Sequence, residues 1–527
     1  MKTVAGPTDR IVVVGAGLSG LAAALHLTGA GRQVTVFERA DHPGGRVGHY
    51  TGQDYRIDSG ATVLTLPELV DEALAAVGHT RASAPVPLEV LSLTPSYHAR
   101  FADGSEIRVF ADEEAMAREV ARTCGAPEAE RYRRLRAWLA DIYRAEFAEF
   151  MDDNFDSPLD MVRTRAKRAA LLDLVRLGGF GRLGAKIDRL LTDRRLSRLF
   201  TFQALYAGMA PADALAVYAA IPHMDTSLGV YFPRGGMSAV AATMASALTD
   251  AGGTLVCDSE VDRIEYTGKR ATAVVLTDGS SVPCDAVVLT ADLGSIERFG
   301  GRRRRGLRAS PSAVVAHGTV PVEVAAAWPV QAHHTIDFGA AWEQTFREIA
   351  TRRGKGRLMS DPSLLLTRPA LTDPDLLITR PDGRHEPFSV LAPCPNLDSA
   401  PLDWDRTARP YLAELLAELE RRGYRGIAEH FTVDHLDTPA TWRDKGMLAG
   451  TPFAAAHLFR QTGPFRTRNM PGFADNVVLA GCGTVPGIGV PTVLLSGKLA
   501  AHRIVGAGGG VSGDTARTRA SASASNH

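Results

Sequence analysis

The stretch that decides the fold is Arg-Ile-Val-Val-Val-Gly-Ala-Gly-Leu-Ser-Gly at residues 10–20, followed by Val-Thr-Val-Phe-Glu-Arg at residues 34–39. The apolar run at 11–14 predicts a parallel strand that is buried on both faces. Gly15 turns the chain, Gly17 lets the backbone approach a pyrophosphate, and Gly20 allows the next helix to pack closely. That helix, predicted over 18–30 and capped by Gly31, directs its N-terminal N–H groups at the phosphates. The pattern predicts a βαβ unit that binds a dinucleotide.

Glu38 follows the second predicted strand, at residues 33–37, and this is where a carboxylate accepts hydrogen bonds from ribose hydroxyls. A carboxylate there disfavours a ribose that carries a 2′-phosphate, so the sequence argues against NADP. A GxGxxG motif alone is weak evidence, because glycines are common in turns. Here a strand, a helix and an acid accompany the motif at the right spacing.

Gly44-Gly45-Arg46 extends this motif beyond what an NAD dehydrogenase needs. The extended motif resembles that of the large flavoprotein group that includes amine oxidases and carotenoid desaturases. The resemblance implies that the segment helps to hold FAD, with Arg46 near the diphosphate. We therefore expect FAD as the cofactor.

Composition is that of an ordinary globular protein: 527 residues, 45% hydrophobic and 22% charged, with a formal net charge of zero. The length corresponds to about three domains or to a discontinuous two-domain flavoprotein. Neutral overall charge gives no indication of nucleic-acid binding, and the five cysteines show no spacing typical of a metal site. We find no secretory signal and no run of the ~20 apolar residues that a spanning helix needs. The expectation is a cytoplasmic protein, either soluble or bound to a membrane surface.

Charge is concentrated between residues 161 and 198, where eleven basic and three acidic residues give a local net charge of +8. Apolar residues, most of them leucines, alternate with the basic ones at broadly helical spacing. A basic amphipathic helix pair is typical of an interfacial surface that binds anionic lipid, although a solvated helical face has the same pattern. The basic residues are Arg163, Arg165, Lys167, Arg168, Arg176, Arg182, Lys186, Arg189, Arg194, Arg195 and Arg198.

Two later segments are predicted to complete the cofactor domain. Residues 238–250 form a helix, 254–256 a strand, 278–279 the turn between two strands, and 286–289 a further apolar strand. Residues 475–491 read as a strand that ends in glycines, then a loop, then Pro491 at the first position of a helix to about residue 505. The N–H groups at that helix start would face the flavin pyrimidine edge and stabilise the negative charge of reduced flavin.

The sequence as a whole resembles the bacterial phytoene desaturases, the carotenoid desaturase family of FAD-dependent oxidoreductases. The matching stretches cover nearly the whole chain to about residue 505. They begin with the dinucleotide-binding βαβ segment from residue 10, here called the cradle, and its continuation through Asp58-Ser59-Gly60-Ala61-Thr62. The others are Phe200-Thr201-Phe202-Gln203, Val230-Tyr231-Phe232-Pro233-Arg234-Gly235-Gly236-Met237, His333-His334-Thr335-Ile336, Ala392-Pro393-Cys394-Pro395-Asn396, Thr451-Pro452-Phe453-Ala454 and Gly481-Cys482-Gly483-Thr484-Val485-Pro486-Gly487. The resemblance implies FAD-dependent desaturation of a long polyene at a membrane surface, with lycopene as the usual end product.

Motif and resemblance together predict FAD contacts from the following residues: Gly15, Gly17, Leu18, Ser19, Gly20, Glu38, Arg39, Gly45, Arg46, Gly60, Ala61, Thr62, Val261, Gly481, Gly489 and Val490. No general base can be identified; Arg198 and Gln203 are candidates for proton handling, although core or surface roles suit them better. His333 and His334 are expected to be structural or substrate-lining, because neighbours on a strand point to opposite faces. No metal site is expected.

We therefore expect an α/β, Rossmann-type FAD-binding flavoprotein of the amine oxidase and desaturase type. Residues 1–80, 225–300 and 465–506 would form the discontinuous FAD domain, and 81–224 with 301–464 the substrate and membrane-facing region, helical over about 112–220. Residues 507–527 are predicted to be disordered. Two alternatives stay open: a flavin amine oxidase, and a non-catalytic prenyl-lipid carrier of the same fold. The sequence does not indicate the number of desaturation steps, the substrate chain length, the electron acceptor or the oligomeric state.

Overall fold

The computed structural model describes residues 1–52, 55–302, 306–351 and 353–506, so the predicted disordered tail lies outside the described residues. The strands are β1 (Arg10–Val14), β2 (Gln33–Phe37), β3 (His49–Thr51), β4 (Arg56–Asp58), β5 (Val90–Ser92), β6 (Tyr97–Phe101), β7 (Glu106–Val109), β8 (Tyr231–Pro233), β9 (Thr254–Val256), β10 (Val261–Thr267), β11 (Arg270–Leu276), β12 (Ser281–Pro283), β13 (Ala286–Leu289), β14 (Ser312–Pro321), β15 (His334–Phe338), β16 (Leu364–Thr367), β17 (Ile378–Arg380), β18 (Gly383–Cys394), β19 (Thr432–Asp437) and β20 (Val477–Leu479). The helices are α1 (Leu18–Gly29), α2 (Glu68–Ala75), α3 (Glu113–Cys124), α4 (Ala126–Glu146), α5 (Arg165–Arg176), α6 (Leu183–Leu190), α7 (Arg194–Leu199), α8 (Ala220–Thr226), α9 (Ser238–Asp250), α10 (Val322–Ala326), α11 (Trp342–Ile349), α12 (Trp404–Arg421), α13 (Ile427–His430), α14 (Pro439–Asp444) and α15 (Val490–Val505).

A five-stranded parallel sheet carries the predicted nucleotide cradle, with the strand order β20-β13-β1-β2-β9. Its strands come from three separate parts of the chain, and each part falls inside one of the ranges expected for the FAD domain. Ile11 and Val13 face the helices, whereas Val12 and Val14 face the antiparallel sheet β10-β11-β12. Burial on both faces explains why β1 is a continuous apolar run instead of an alternating one.

Helices α1 and α15 cross at very short range on the helical side of this sheet. A Cβ atom on Gly497 of α15 would lie 2.3 Å from the carbonyl oxygen of Ser19 in α1. A side chain at position 497 would therefore push the helix that begins at the cradle out of place. The structure also corrects one detail: Val490 is the first residue of α15 and Pro491 the second. Proline is tolerated at both positions, because neither N–H has a partner inside the helix.

A second, eight-stranded sheet has the order β19-β14-β18-β16-β15-β6-β7, with β17 paired to β18. Most of its neighbours are antiparallel, but β15 and β6 run parallel although their first residues are 237 positions apart in the sequence. Helices α11 and α12 cover one face of it with a separate apolar core that includes Trp404, Leu415 and Phe388. This sheet occupies the region expected to bind the substrate.

Helices α3 to α8 lie within residues 113–226. Residues 161–198 are helical as predicted, but they form three helices, α5, α6 and α7, instead of a pair. One basic residue of that segment, Lys167, is not available to contact a lipid surface. Lys167 is 6% exposed, pairs with the Asp153 carboxylate, and lies over the ring of Phe155. Lys167 therefore lies on the inner side of α5, which corrects its inclusion among the basic residues expected to contact anionic lipid. Across the described ranges, no helix is both long enough and apolar enough to span a bilayer.

Candidate active site

The cradle lies at the carboxyl edge of the parallel sheet, where open α/β folds bind their ligands. Gly17 precedes α1 in extended conformation (φ −68°, ψ 169°) and offers no side chain to the helix start. A Cβ on Gly17 would come no closer than 3.9 Å to other protein atoms, namely to the Gly44 carbonyl oxygen. The protein therefore leaves the space next to Gly17 free. A Cβ on Gly20, in contrast, would lie 2.0 Å from the carbonyl oxygen of Gly15, so Gly20 is required by helix packing.

Glu38 lies at the end of β2 and is 7% exposed. One carboxylate oxygen accepts the Ala16 N–H at 2.7 Å, and the other accepts the Ala40 N–H at 3.0 Å. These bonds fix the carboxylate beside the glycine turn, and each oxygen still has a lone pair for a ribose hydroxyl. The geometry agrees with the role expected from the sequence.

The substitution Glu38→Gln is expected to weaken FAD binding at least tenfold, equivalent to about 1.4 kcal/mol. An amide has only one acceptor atom, so one backbone N–H loses its acceptor and the charge-assisted bonds to ribose are lost. Titration of the apoprotein with FAD, followed by flavin fluorescence, measures the affinity. Glu265→Gln on the exposed strand β10 is the matched control. An affinity for Glu38→Gln that equals that of the control would mean that another residue holds the ribose.

Gly44, Gly45 and Arg46 lie directly across from the cradle. The Gly44 N–H donates to the Ala16 carbonyl at 2.9 Å, and Gly44 and Gly45 adopt positive φ angles of 130° and 59°. The Arg46 guanidinium contacts the Asp292 carboxylate and the Cys482 sulfur. It therefore joins the segments after β2, β13 and β20 and presents a cation beside the glycine turn, where the resemblance predicts the diphosphate.

The other predicted cofactor residues occupy different positions. Gly60, Ala61, Thr62, Gly489 and Val490 line the same cavity as Arg46. Leu18, Ser19 and Gly481 lie at the edge of the parallel sheet, near the cradle. Val261 is the first residue of β10 and lies in the apolar core between the antiparallel and the parallel sheet. Arg39 lies apart from the cavity, because its guanidinium donates to the Lys445 carbonyl at 2.9 Å on the surface.

Asp58 connects two motifs that are distant in sequence, at residues 58–62 and 235–237. The sequence analysis did not predict this contact. The Asp58 carboxylate accepts the N–H groups of Met237 and Ser238 at 2.6 and 3.1 Å, at the start of α9. A Cβ on Gly236 would lie 2.6 Å from the same carboxylate. The Asp-Ser-Gly-Ala-Thr and Gly-Gly-Met stretches are thus two halves of one contact that fixes the strand before Gly60.

A cavity of about 430 Å³ extends from these cofactor residues between the eight-stranded sheet and the helical region. Its wall is mostly apolar, with contributions from α5, α8, β14 and the loop before α15. Ionisable side chains in the wall are few: Arg46, Tyr97, Glu146, Tyr206, Tyr218, Asp225, His317, His334, His457 and Cys482. The size and lining are typical of a site for a large apolar ligand.

The two adjacent histidines point to opposite sides of β15, as predicted. His334 lines the cavity, and neither of its ring nitrogens has a hydrogen-bond partner among the described residues. Burial lowers the pKa of His334 to about 4, so the ring is neutral at neutral pH. His333 instead bonds the Thr372 hydroxyl through Nδ1 at 2.8 Å and packs on Phe232.

Neither candidate for proton handling lies in the cavity wall that the structure describes. Arg198 donates to the carbonyl oxygens of Gly339 and Ala340 at 3.1 and 2.9 Å, which connects α7 to a loop. Gln203 is fully buried and donates to the Leu199 carbonyl at 3.3 Å. Their contacts are those of structural residues, so neither is carried further as a catalytic candidate.

The sequence analysis missed two carboxyl groups in the cavity wall, those of Glu146 and Asp225. Burial raises the pKa of Asp225 to about 7 and the pKa of Glu146 to about 8. No motif marks either residue, because each follows an ordinary amphipathic helical pattern. Only the fold shows that their side chains face a cavity instead of solvent.

One hydrogen-bonded cluster lies beside the loop before α15. The Tyr218 hydroxyl contacts Nδ1 of His457 at 3.0 Å and the Thr462 hydroxyl at 2.6 Å. A Cβ on Gly487 would lie 2.3 Å from the His457 ring. This contact fixes the loop at 487–489, whose last residues line the cavity together with the start of α15.

The site as a whole fits FAD. Along the edge of the sheet, the acceptor oxygens of Glu38 follow β2, the free space at Gly17 follows β1, and the Arg46 cation and the start of α15 lie beside the ends of β13 and β20. They match the adenosine ribose, the diphosphate and the flavin ring in the order in which FAD presents them.

Comparisons with known proteins agree with this assignment. The family model described as flavin containing amine oxidoreductase matches residues 18–505. The chain is 54% identical to a phytoene dehydrogenase from Streptomyces griseus, over 96% of this chain and 97% of the relative. It is 33% identical to a neurosporene-forming phytoene desaturase from Rhodobacter capsulatus, over 94% of each chain. A putrescine oxidase structure shares the fold, with a TM-score of 0.56 and 15% identity over 94% of this chain and 98% of that chain.

These matches extend over the cradle, the cavity and the eight-stranded sheet. The chain is an FAD-dependent oxidoreductase and belongs to the phytoene dehydrogenase and desaturase group of the flavin-containing amine oxidoreductase family.

Proposed function

We propose that the protein desaturates phytoene, or a related long polyene, in carotenoid biosynthesis, and that it takes this substrate from a membrane surface and converts it towards lycopene. The observation that carries the proposal is the apolar cavity that begins at the flavin-binding residues. A hydrocarbon offers no hydrogen-bond acceptor or charge, so it can be recognised only by an apolar channel of matching shape. The names of the relatives, at up to 54% identity, support the same substrate class.

Desaturation removes a hydride from one carbon and a proton from its neighbour. Bound FAD supplies the hydride acceptor at N5. The allylic cation character that develops on the substrate is spread over its conjugated double bonds, so the protein mainly positions the polyene and excludes water. The apolar wall does both, and the N–H groups at the start of α15 stabilise negative charge at that end of the cavity.

Apolar side chains surround the point where the cavity opens. Phe180, Phe459 and Phe465 line the cavity and are also 41%, 55% and 38% exposed. Leu172 and Val175 are exposed on α5, next to the exposed basic residues of the same helix. An apolar opening beside basic residues is the arrangement expected for a surface that rests on anionic lipid. This supports a route for the polyene from the bilayer into the cavity.

Replacement of Arg163, Arg165 and Arg168 by glutamine is expected to reduce co-sedimentation with anionic liposomes at least tenfold. Each basic residue near such a surface is worth up to about 1 kcal/mol, and the attraction falls off within a Debye length. FAD content should not change, because all three side chains are exposed and none is a predicted FAD contact. Lys167 is left in place because it is buried.

The control for this variant carries glutamine at Arg406, Arg409 and Arg421 on α12, which removes the same charge from another exposed helix face. Binding of the wild-type protein should also weaken with added salt. If the first variant sediments like the control, α5 is a solvated helix and the lipid contact lies elsewhere.

Product analysis separates the proposed function from its alternatives. The FAD-loaded protein is incubated with phytoene in anionic liposomes and, separately, with aliphatic amines, and the products are separated by chromatography. Polyenes with longer conjugation are the expected products, and the end product shows whether the reaction reaches lycopene. Oxidation of amines with phytoene unchanged would establish an amine oxidase. A purified protein that lacks bound flavin and cannot be loaded with it would instead indicate a carrier.

A further inference from the structure

We propose that Asp225 is the base that accepts the proton lost from the substrate carbon, a role that rests on the desaturation proposed above. The residue lies near the end of α8, and its neighbours Ile221 and Met224 line the same cavity wall. Its side chain is only partly buried, and the accessible part faces the cavity. A carboxyl group in a wall built for a hydrocarbon has no ligand charge to balance. Its presence there calls for a chemical role.

No opposite charge stabilises this carboxylate. Burial alone raises the pKa of Asp225, to about 7, with no ionic or hydrogen-bonding partner among the described residues. An isolated buried carboxyl group has a cost in stability unless it is neutral or used. A pKa near 7 is also the value at which a base is both available and strong enough at neutral pH.

The titratable groups that pack around α8 supply no positive charge that would stabilise the Asp225 carboxylate. Two phenols approach it, those of Tyr97 on β6 and Tyr206, and burial together with the Asp225 charge raises the pKa of both above their usual range, which keeps them neutral. His334 on β15 lies 6.1 Å from the Tyr97 ring and is neutral as well. The remaining titratable and charged groups are on α4 or α8 and pair elsewhere: Arg136 with Glu113 and the Thr226 carbonyl, Tyr143 with His223, and Tyr132 with Arg136.

Glu146 is the other carboxyl group of the cavity wall, and it suits the role less well. Its Oε2 atom is enclosed with no partner among the described residues and does not reach the cavity. Its pKa of about 8 leaves most of the group protonated at neutral pH. Glu146 lies on the side of Tyr218, whereas Asp225 lies on the side of Tyr97 and Tyr206. Predicted flavin contacts line the cavity near both, so the accessibility of the carboxylate oxygens is what favours Asp225 over Glu146.

The bonds, electrons and proton of the proposed step are all accounted for. One C–H bond of the substrate breaks with both electrons going to FAD as a hydride. The C–H bond on the adjacent carbon breaks with its proton going to the Asp225 carboxylate, and its electron pair forms the new C=C double bond. The protonated Asp225 then releases its proton before the next step, through the neighbouring phenols or water.

The experiment compares the wild-type protein with Asp225→Asn and Glu146→Gln. Each is loaded with FAD and mixed anaerobically with phytoene in liposomes, and the rate of flavin bleaching is recorded against pH. FAD content and the thermal unfolding midpoint are measured for all three. Asparagine has the size of aspartate and cannot accept the proton, so FAD content should be unchanged for Asp225→Asn, and the unfolding midpoint should be equal to or higher than that of the wild type because an unpaired buried charge is removed.

For the wild type we expect the rate to rise with pH through an apparent pKa of about 7, because only the deprotonated carboxylate acts as base. Asp225→Asn should be slower by roughly 10²- to 10⁴-fold, the usual contribution of a general base, and should lose this inflection. Glu146→Gln should keep it. The proposal is overturned if Asp225→Asn retains the inflection or the wild-type rate, or if Glu146→Gln alone loses them. A wild-type protein whose flavin is not reduced by phytoene at any pH would instead refute the proposed function.

Discussion

Replacing Gly17 with valine (Gly17→Val) is expected to abolish FAD binding while the protein still folds. Gly17 has a negative φ of −68°, so a larger residue causes no backbone strain. Its Cβ would have no protein atom nearer than 3.9 Å, so the added side chain begins in open space beside the Gly44 carbonyl and not against the protein core. It would, however, occupy the space through which the diphosphate must approach the backbone. The expected result is a folded apoprotein without flavin absorbance and without activity.

Flavin content after purification and reconstitution with FAD, together with circular dichroism, tests this prediction. The variant for comparison is Gly20→Ala, whose Cβ would lie 2.0 Å from the Gly15 carbonyl oxygen. That variant should lose stability as well as flavin, because the clash is with the protein itself. Full flavin content in Gly17→Val would show that the diphosphate does not pass this glycine.

The second large effect is expected from Gly497→Ala, at the crossing of α15 and α1. The added methyl group would lie 2.3 Å from the Ser19 carbonyl oxygen and 2.8 Å from the Ala22 side chain. Helices α1 and α15 would have to separate, and overpacking of this kind costs about 1–3 kcal/mol or more. We expect the free energy of unfolding to fall by at least about 3 kcal/mol, since the obstacle is backbone. FAD affinity should fall with it, because α1 begins at the cradle.

Gly472→Ala is the matched control, since a Cβ there meets no atom within 4 Å. Denaturant unfolding of both variants gives the comparison. Equal stability of the two would mean that α1 and α15 do not cross as closely as described.

The parallel sheet could be predicted from sequence almost residue by residue. Strands at 33–37, 254–256 and 286–289 and the helix at 238–250 have the predicted bounds. These elements are buried on both faces or end at glycines, so their local pattern determines their structure. The cradle residues could be predicted for the same reason, because phosphate binding needs particular residues at fixed spacing.

The cavity could not be predicted in this way. Pairing of β6 with β15 brings residues 98–101 next to 335–338, and no local pattern encodes so distant a contact. Asp225 and Glu146 belong to ordinary helical patterns, and only their surroundings change their chemistry. Lys167 shows the converse: it belongs to a basic run in the sequence, but the contact with Asp153 turns it inward.

The central claim is that phytoene is the reductant of the bound flavin, and the most direct test is a stoichiometric one. The FAD-loaded protein is mixed without oxygen with phytoene in anionic liposomes, and flavin bleaching is compared with the amount of newly formed double bonds. We predict that the flavin is reduced completely and that one new C=C double bond appears for each flavin reduced. Flavin that stays oxidised while phytoene is recovered unchanged would contradict the account.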